Sequence, residues 1–180
     1  MPRLFTGLEI PPDVALDLDM MRGGIDGARW IDRESYHITL RFIGDIEDGL
    51  AREIAQELDR VEAAPFTLRL SGAGIFGGVK PHALYAGVEE NAELRRLQAA
   101  QERLCQTLGL PPEPRKFMPH VTLARLRNPD LQSLHRFAAS HNLYRSRVFD
   151  VARFALFSSR PSRGGGPYAV EESYQLQVGP

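Results

Sequence analysis

Leu4, Phe5, Leu8 and Ile10 make residues 3–10 largely apolar until Pro11-Pro12 interrupts them, which predicts a strand and then a turn. Val14, Leu16, Leu18 and Met21 recur at helical intervals and predict a helix over 13–21, stopped by Gly23-Gly24. Trp30-Ile31 leads into an alternating stretch over 36–42 that Gly44-Asp45 ends, and Leu50, Ile54, Leu58 and Val61 mark an amphipathic helix over 48–61. A strand over 65–76 is expected to bend at Gly72 and Gly74.

From His82 the same order begins again. A strand is predicted over 83–88, a helix over 92–108 ended by Gly109 and the Pro-rich 111–114, and an alternating strand over 117–125. A helix capped by Asp130 follows through Leu131, Leu134 and Phe137, then a strand over 147–157, a turn-rich loop over 158–166 and a closing strand over 168–177. Landmarks repeat at separations of 80 to 83 residues: Phe5 and Tyr85, His37 and His120, Leu50 and Leu131, Phe76 and Phe157. That period is too long for a solenoid and implies an internal duplication, with half-repeats of about 3–76 and 82–160 in a single domain over 1–180. The expected fold is α+β and bilobal: two antiparallel sheets related by a pseudo-twofold, helices outside, and a cleft between the lobes.

Composition narrows the function. The 180 residues carry 22 Lys and Arg against 23 Asp and Glu, a net charge of -1, so any phosphate site has to be a local concentration of cations. Cys105 is the single cysteine, which excludes an intrachain disulfide and a cysteine zinc site; its helical setting predicts an apolar burial. No apolar run reaches membrane-spanning length, and no signal-peptide core follows Met1, so a cytoplasmic monomer without membrane contact is expected.

The chemistry is concentrated in two copies of His-x-Thr-Leu, at His37-Ile38-Thr39-Leu40 and His120-Val121-Thr122-Leu123. With five His and five Thr in 180 residues, His-x-Thr arises by accident about 0.14 times in such a chain, so a matched pair is a real signal. The period of two puts His and Thr on one face of each strand and the aliphatic residues on the other. Pseudosymmetry would then oppose two imidazoles across one cleft. Such a pair suits a displacement in which one oxygen loses a proton while another gains one, and hydroxyls with Arg125 suit a central anion. Phosphoryl transfer fits this set better than acyl transfer, because no activated serine or cysteine signature is present. Neither copy has a second ligand at the spacing zinc requires, and Gly164-Gly165-Gly166 lacks the Lys of a phosphate loop, so neither metal nor cofactor is expected. His82, His135 and His141 are read as surface or capping residues, and Trp30 as packing. Arg115, Lys116, Arg125 and Arg127, joined by Arg41, Arg153, Arg160 and Arg163, are the cations available to guide a polyanion.

The segments Trp30 … His37-Ile38-Thr39-Leu40-Arg41-Phe42-Ile43-Gly44 and Phe117-Met118-Pro119-His120-Val121-Thr122-Leu123-Ala124-Arg125, with Arg3-Leu4-Phe5 at the start and Gly166-Pro167-Tyr168 near the end, resemble the 2H phosphoesterases. The wording is most similar to the bacterial and archaeal RNA 2′,3′-cyclic phosphodiesterase group, also called 2′-5′ RNA ligases. The resemblance implies metal-independent hydrolysis of RNA or oligonucleotide ends carrying a 2′,3′-cyclic phosphate to 2′-phosphomonoesters. It implies His37 and His120 as the acid-base pair, Thr39, Thr122 and Arg125 as phosphate-binding, and Phe42 as the platform for the terminal base. His120 is implied as base and His37 as acid, an order that the pseudosymmetry leaves open. Tyr168 is either a ribose or phosphate contact or a plain strand residue. Two alternatives remain: a non-catalytic RNA-end or nucleotide-binding module, and a 2H enzyme acting on a small cyclic phosphate or a 2′-5′ linkage. One geometric requirement follows. Phe42 and Arg125 each lie five residues after their His, the wrong parity to share its face, so each strand has to bend, bulge or end there.

Overall fold

A computed structural model describes residues 3–159 and 168–177. The alternating stretches form β1 (Arg3–Glu9), β3 (His37–Asp45), β5 (Leu70–Phe76), β6 (Ala83–Val88), β7 (His120–Leu126), β9 (Arg153–Ser159) and β10 (Tyr168–Gln175). Short strands β2 (Ala28–Trp30), β4 (Phe66–Leu68) and β8 (Phe149–Val151) complete the set. The helices are α1 (Pro12–Asp19), α2 (Asp48–Leu58), α3 (Ala92–Thr107) and α4 (Leu131–Ser140). Pro12 opens α1, Asn91 caps α3 by accepting from the Leu94 amide, and Asp130 caps α4 by accepting from the Ser133 amide, satisfying donors that a helix start leaves free.

The fold is α+β, and its strands run β10-β9-β1-β3-β7-β6-β5, all antiparallel, with β2 pairing along the far end of β7. The two halves of this sheet touch through a single pair, Ile38 opposite Val121. The two His-x-Thr strands are therefore the ones that meet at the junction of the halves. The apolar residues of both halves share one core, which runs from Leu8 and Leu18 through Ile38 and Val121 to Leu134 and Phe149.

The predicted strands over 65–76 and 147–157 each break in two, at Arg69 and Ala152. After the break each chain changes sheets: β4 pairs with β8 as a separate ribbon, β5 joins β6, and β9 joins β1. Each sequence half thus donates a strand to the other's sheet. The spatial halves are not the stretches 3–76 and 82–160, and the exchange explains physically why neither stretch has a complete sheet of its own. Smaller differences have local causes. The expected strand over 117–125 begins only at His120, after Pro119, which lacks a ladder donor. β3 continues through Gly44, whose φ of +91° is open to glycine, and the three residues of mixed polarity in β2 carry no strand signal of their own.

Candidate active site

Both central strands carry a β-bulge at the same point. In β3, Thr39 pairs with Gly7 and Arg41 with Thr6, leaving Leu40 as the extra residue; in β7, Thr122 pairs with Tyr85 and Ala124 with Leu84, leaving Leu123. The bulge inverts the alternation, so Leu40-Arg41 and Leu123-Ala124 are consecutive buried pairs, and Phe42 and Arg125 emerge on the side of His and Thr. The parity requirement is met by the same device in both halves. His37, Thr39, Phe42, His120, Thr122, Arg125 and Tyr168 consequently line one cleft of about 720 Å³.

Each bulge is stabilised differently. In the first, the freed Arg41 amide donates to the Thr6 hydroxyl at 3.1 Å, and that hydroxyl donates to Gln101 Oε1 at 2.5 Å; Thr6 and Gln101 are both fully buried. The Arg41 side chain, turned inward, pairs with Glu102 and donates to the Phe42 and Pro111 carbonyls at 2.5 and 2.6 Å. Arg41 is therefore a structural cation. In the second bulge Ala124 occupies the matching position, which requires no polar partner.

The histidines adopt one arrangement twice. His37 Nδ1 lies 2.8 Å from the Ser35 carbonyl, and His120 Nδ1 lies 2.7 Å from the Met118 carbonyl. A carbonyl only accepts, so Nδ1 carries the proton in both neutral rings and Nε2 is left for chemistry. His37 Nε2 is 3.1 Å from the Thr39 hydroxyl.

Aromatic rings bed the two imidazoles. His37 packs against Phe5, Phe157 and Tyr168 at centroid distances of 4.8, 5.8 and 5.0 Å; His120 packs against Phe76 and Tyr85 at 4.8 and 5.6 Å. The spacing that suggests matching Phe5 with Tyr85 is off by two residues in space. Because Leu8 faces Ile38 and Ala86 faces Val121, the position equivalent to Phe5 is Ala83, and that equivalent to Tyr85 is Gly7. The second ring has moved along its strand to the next position on the same face, and the room for it comes from Gly74, where a Cβ would stand 2.4 Å from the Tyr85 ring.

Burial lowers the pKa of both histidines. The His37 imidazolium is disfavoured first by desolvation and then by the charges of His120 and Arg125, which takes it down to about 4 in spite of the opposing Ser35 hydrogen bond. His120 is lowered by desolvation, Arg125 and Arg115, against the opposing Met118 hydrogen bond. The electrostatic influence of His120 on His37 accords with their place in one cleft.

The other candidates divide clearly. Arg115 and Lys116 line the cleft and Arg127 and Arg153 do not, Arg153 being paired with Glu9 at 3.0 Å; Arg160 and Arg163 fall outside the described residues, as does Gly164-Gly165-Gly166. Trp30 packs on Phe137 at 5.5 Å, away from the cleft. Tyr168 both pairs along β9 and stands edge-on to His37. His82 is exposed, as a surface residue, and stands at the edge of the cleft beside Phe76, which it stacks at 6.4 Å. In the sequence Phe5, Phe76, Tyr85 and Phe157 stand out only as landmarks of the duplication, although aromatic residues at fixed offsets from each motif were the available signal for the ring beds. Among the described residues, no three of His, Cys, Asp or Glu form a group able to hold a metal ion, and no helix is long and apolar enough to cross a membrane. Cys105 is buried, and desolvation pushes its thiol up to about 11.

Comparison with known proteins agrees with this geometry. The family model described as the 2′-5′ RNA ligase superfamily matches residues 10–163. A relative from Aquifex aeolicus named RNA 2′,3′-cyclic phosphodiesterase is 32% identical over 153 residues, spanning 82% of this chain and 81% of its own. The crystal structure of TT0787 of Thermus thermophilus is similar with a TM-score of 0.76 at 26% identity, covering 98% of both chains. E. coli LigT complexed with 3′-AMP has the same fold, with a TM-score of 0.76 at 20% identity over 98% of this chain and 99% of that one.

Proposed function

This chain belongs to the 2′-5′ RNA ligase superfamily, and from that premise we propose that it hydrolyses RNA ends bearing a 2′,3′-cyclic phosphate to 2′-phosphomonoesters without a metal ion. The observation that carries the reading is the twofold repetition of one constellation: Nδ1 tied to a backbone carbonyl, Nε2 left for chemistry, a Thr hydroxyl two residues on, and both rings in one cleft.

The cyclic phosphate sits between the two Nε2 atoms, with the Thr39 and Thr122 hydroxyls on its non-bridging oxygens and Arg125 neutralising its charge. His120 Nε2 takes a proton from water as the water oxygen bonds to phosphorus. The P–O3′ bond breaks in line with that attack, and protonated His37 Nε2 delivers its proton to O3′. The ribose keeps the phosphate on O2′ and regains a 3′-hydroxyl. His37 held down to about 4 is neutral in the free protein at pH 7, so the acid form depends on the bound phosphate anion to hold its proton.

That dependence has a pH signature. Productive binding requires one imidazole neutral and one protonated, and both free-state values lie below 6.5. As pH rises above them the singly protonated form is depleted about tenfold per unit, so kcat/KM peaks on the acid side of pH 6.5 and falls through neutrality. The anion raises both values in the complex, so the kcat optimum lies at higher pH than that of kcat/KM. Coincident optima above about pH 7 would contradict the burial-driven shifts.

The direct experiment incubates the protein with adenosine 2′,3′-cyclic phosphate in excess chelator and separates products by ion-exchange chromatography. Conversion to the 2′-monophosphate supports the proposal. Saturable binding without conversion replaces it with a nucleotide sensor, and formation of the 3′-monophosphate reverses which oxygen leaves.

A further inference from the structure

The cleft is chemically lopsided. β3 and β7 are antiparallel and meet only at Ile38 and Val121, so they run away from each other, and Phe42 and Arg125 lie at opposite ends. One end is cationic through Arg125. The other offers apolar surface, with Phe42 41% and Met118 54% exposed. Its wall is the segment 111–118, stiffened by Pro111, Pro112 and Pro114. Three contacts pin it to the body: Arg41, beside Phe42, donates to the Pro111 carbonyl, the Glu113 amide donates to Glu102 Oε1 at 2.9 Å, and the Arg95 guanidinium lies 6.0 Å from the Phe117 ring.

On this wall stand Arg115 and Lys116. Glu113 accepts from Arg115 Nε at 3.0 Å, which orients the guanidinium from one edge, and Lys116 interacts electrostatically with Glu90. Arg115 and Lys116 against the one carboxylate that lines this wall, Glu113, leave it net positive and suited to an anion, and Arg115 is near enough to His120 to lower its pKa. Ribose geometry says which anion. O2′ and O3′ occupy one edge of the sugar, while C1′ with the base and C4′ with the 5′ chain leave from the other. With the cyclic phosphate between the histidines and the base over Phe42, the 5′-phosphodiester has to leave on the Phe42 side.

We propose that Arg115 and Lys116 form a subsite for the phosphodiester immediately upstream of the cyclic end, so that the cleft selects oligonucleotides over mononucleotides. This deepens the proposed function and rests on it. Phe117 and Met118 supply apolar surface beneath the upstream ribose, and the proline-stiffened backbone keeps the two cations in place before the ligand arrives.

The test compares adenosine 2′,3′-cyclic phosphate with a dinucleotide ending in the same adenosine cyclic phosphate. Wild-type kcat/KM is expected to be about tenfold higher for the dinucleotide, the worth of a charge-assisted hydrogen-bond pair. The Arg115→Ala/Lys116→Ala double variant is expected to bring the ratio of the two kcat/KM values to about one, each measured at the variant's own pH optimum, because the charge that Arg115 places on His120 acts on both substrates alike. Its kcat/KM for the dinucleotide also depends less steeply on salt concentration, because fewer screened charge pairs are made with the upstream phosphodiester. Equal wild-type rates on both substrates, or proportionate losses on both in the variant, would overturn the subsite alone. Turnover of neither substrate by the wild type would overturn the activity on which it rests.

Discussion

Replacing His120 with alanine is expected to lower kcat/KM for a 2′,3′-cyclic phosphate by about 10²- to 10⁴-fold, and His37→Ala by a similar factor. The double variant should be little worse than either, because the proposed mechanism uses the two rings in one concerted displacement. The fold should survive. Neither imidazole belongs to the shared apolar core, and each rests on the cleft face of its strand, so far-UV circular dichroism and denaturant midpoints serve as the control. The roles can be separated with a substrate whose bridging 3′ oxygen is sulfur. A thiolate leaves without help from an acid, so His37→Ala should recover most of its loss on this substrate while His120→Ala should not. Rescue of the His120 variant instead would exchange the roles. Wild-type-like turnover of the oxygen substrate in either single variant would remove the histidine from the chemistry.

The second large effect is expected at Arg125. Arg125→Gln should lose about 10²-fold or more in kcat, comparable to removing a donor from an oxyanion site, because in the proposed mechanism its charge meets the negative charge on the non-bridging phosphoryl oxygens. Arg125→Lys should recover part of that loss, since it restores the charge without the planar fork. Arg127→Gln is the matched control. It lies two residues on in the chain, is exposed and is outside the cleft, so steady-state kinetics should change less than about twofold. A loss at Arg127 equal to that at Arg125 would mean that long-range charge, and not the bulge-directed position of Arg125, matters.

These expectations depend on a feature that linear periodicity presents only as a contradiction. Residues five apart on a regular strand point to opposite faces, and yet Phe42 and Arg125 were required on the same face as His37 and His120. The family resemblance, laid on this spacing, required an irregularity; the pairing partners decided that it is a bulge at Leu40 and Leu123. What stabilises the first bulge was not legible. Thr6 and Gln101 are 95 residues apart, and nothing local in either stretch marks a hydroxyl that will accept from one strand's amide and donate to a helix.

By itself the sequence determined most of the elements, the repeated landmarks, the two His-x-Thr motifs and the absence of an intrachain disulfide, because each depends on local period, spacing or composition. The tertiary structure decided the exchange of β5 and β9 between the halves of the sheet, the inward burial of Arg41, and the place of His82 at the edge of the cleft. It also shifted the second aromatic bed by two residues, from the place of Phe5 to that of Tyr85. The physical reason is common to all of these. Which strand a residue faces, and whether a cation meets solvent or a buried carboxylate, is set by contacts between segments far apart in the chain, and periodicity within a segment carries no record of its partner.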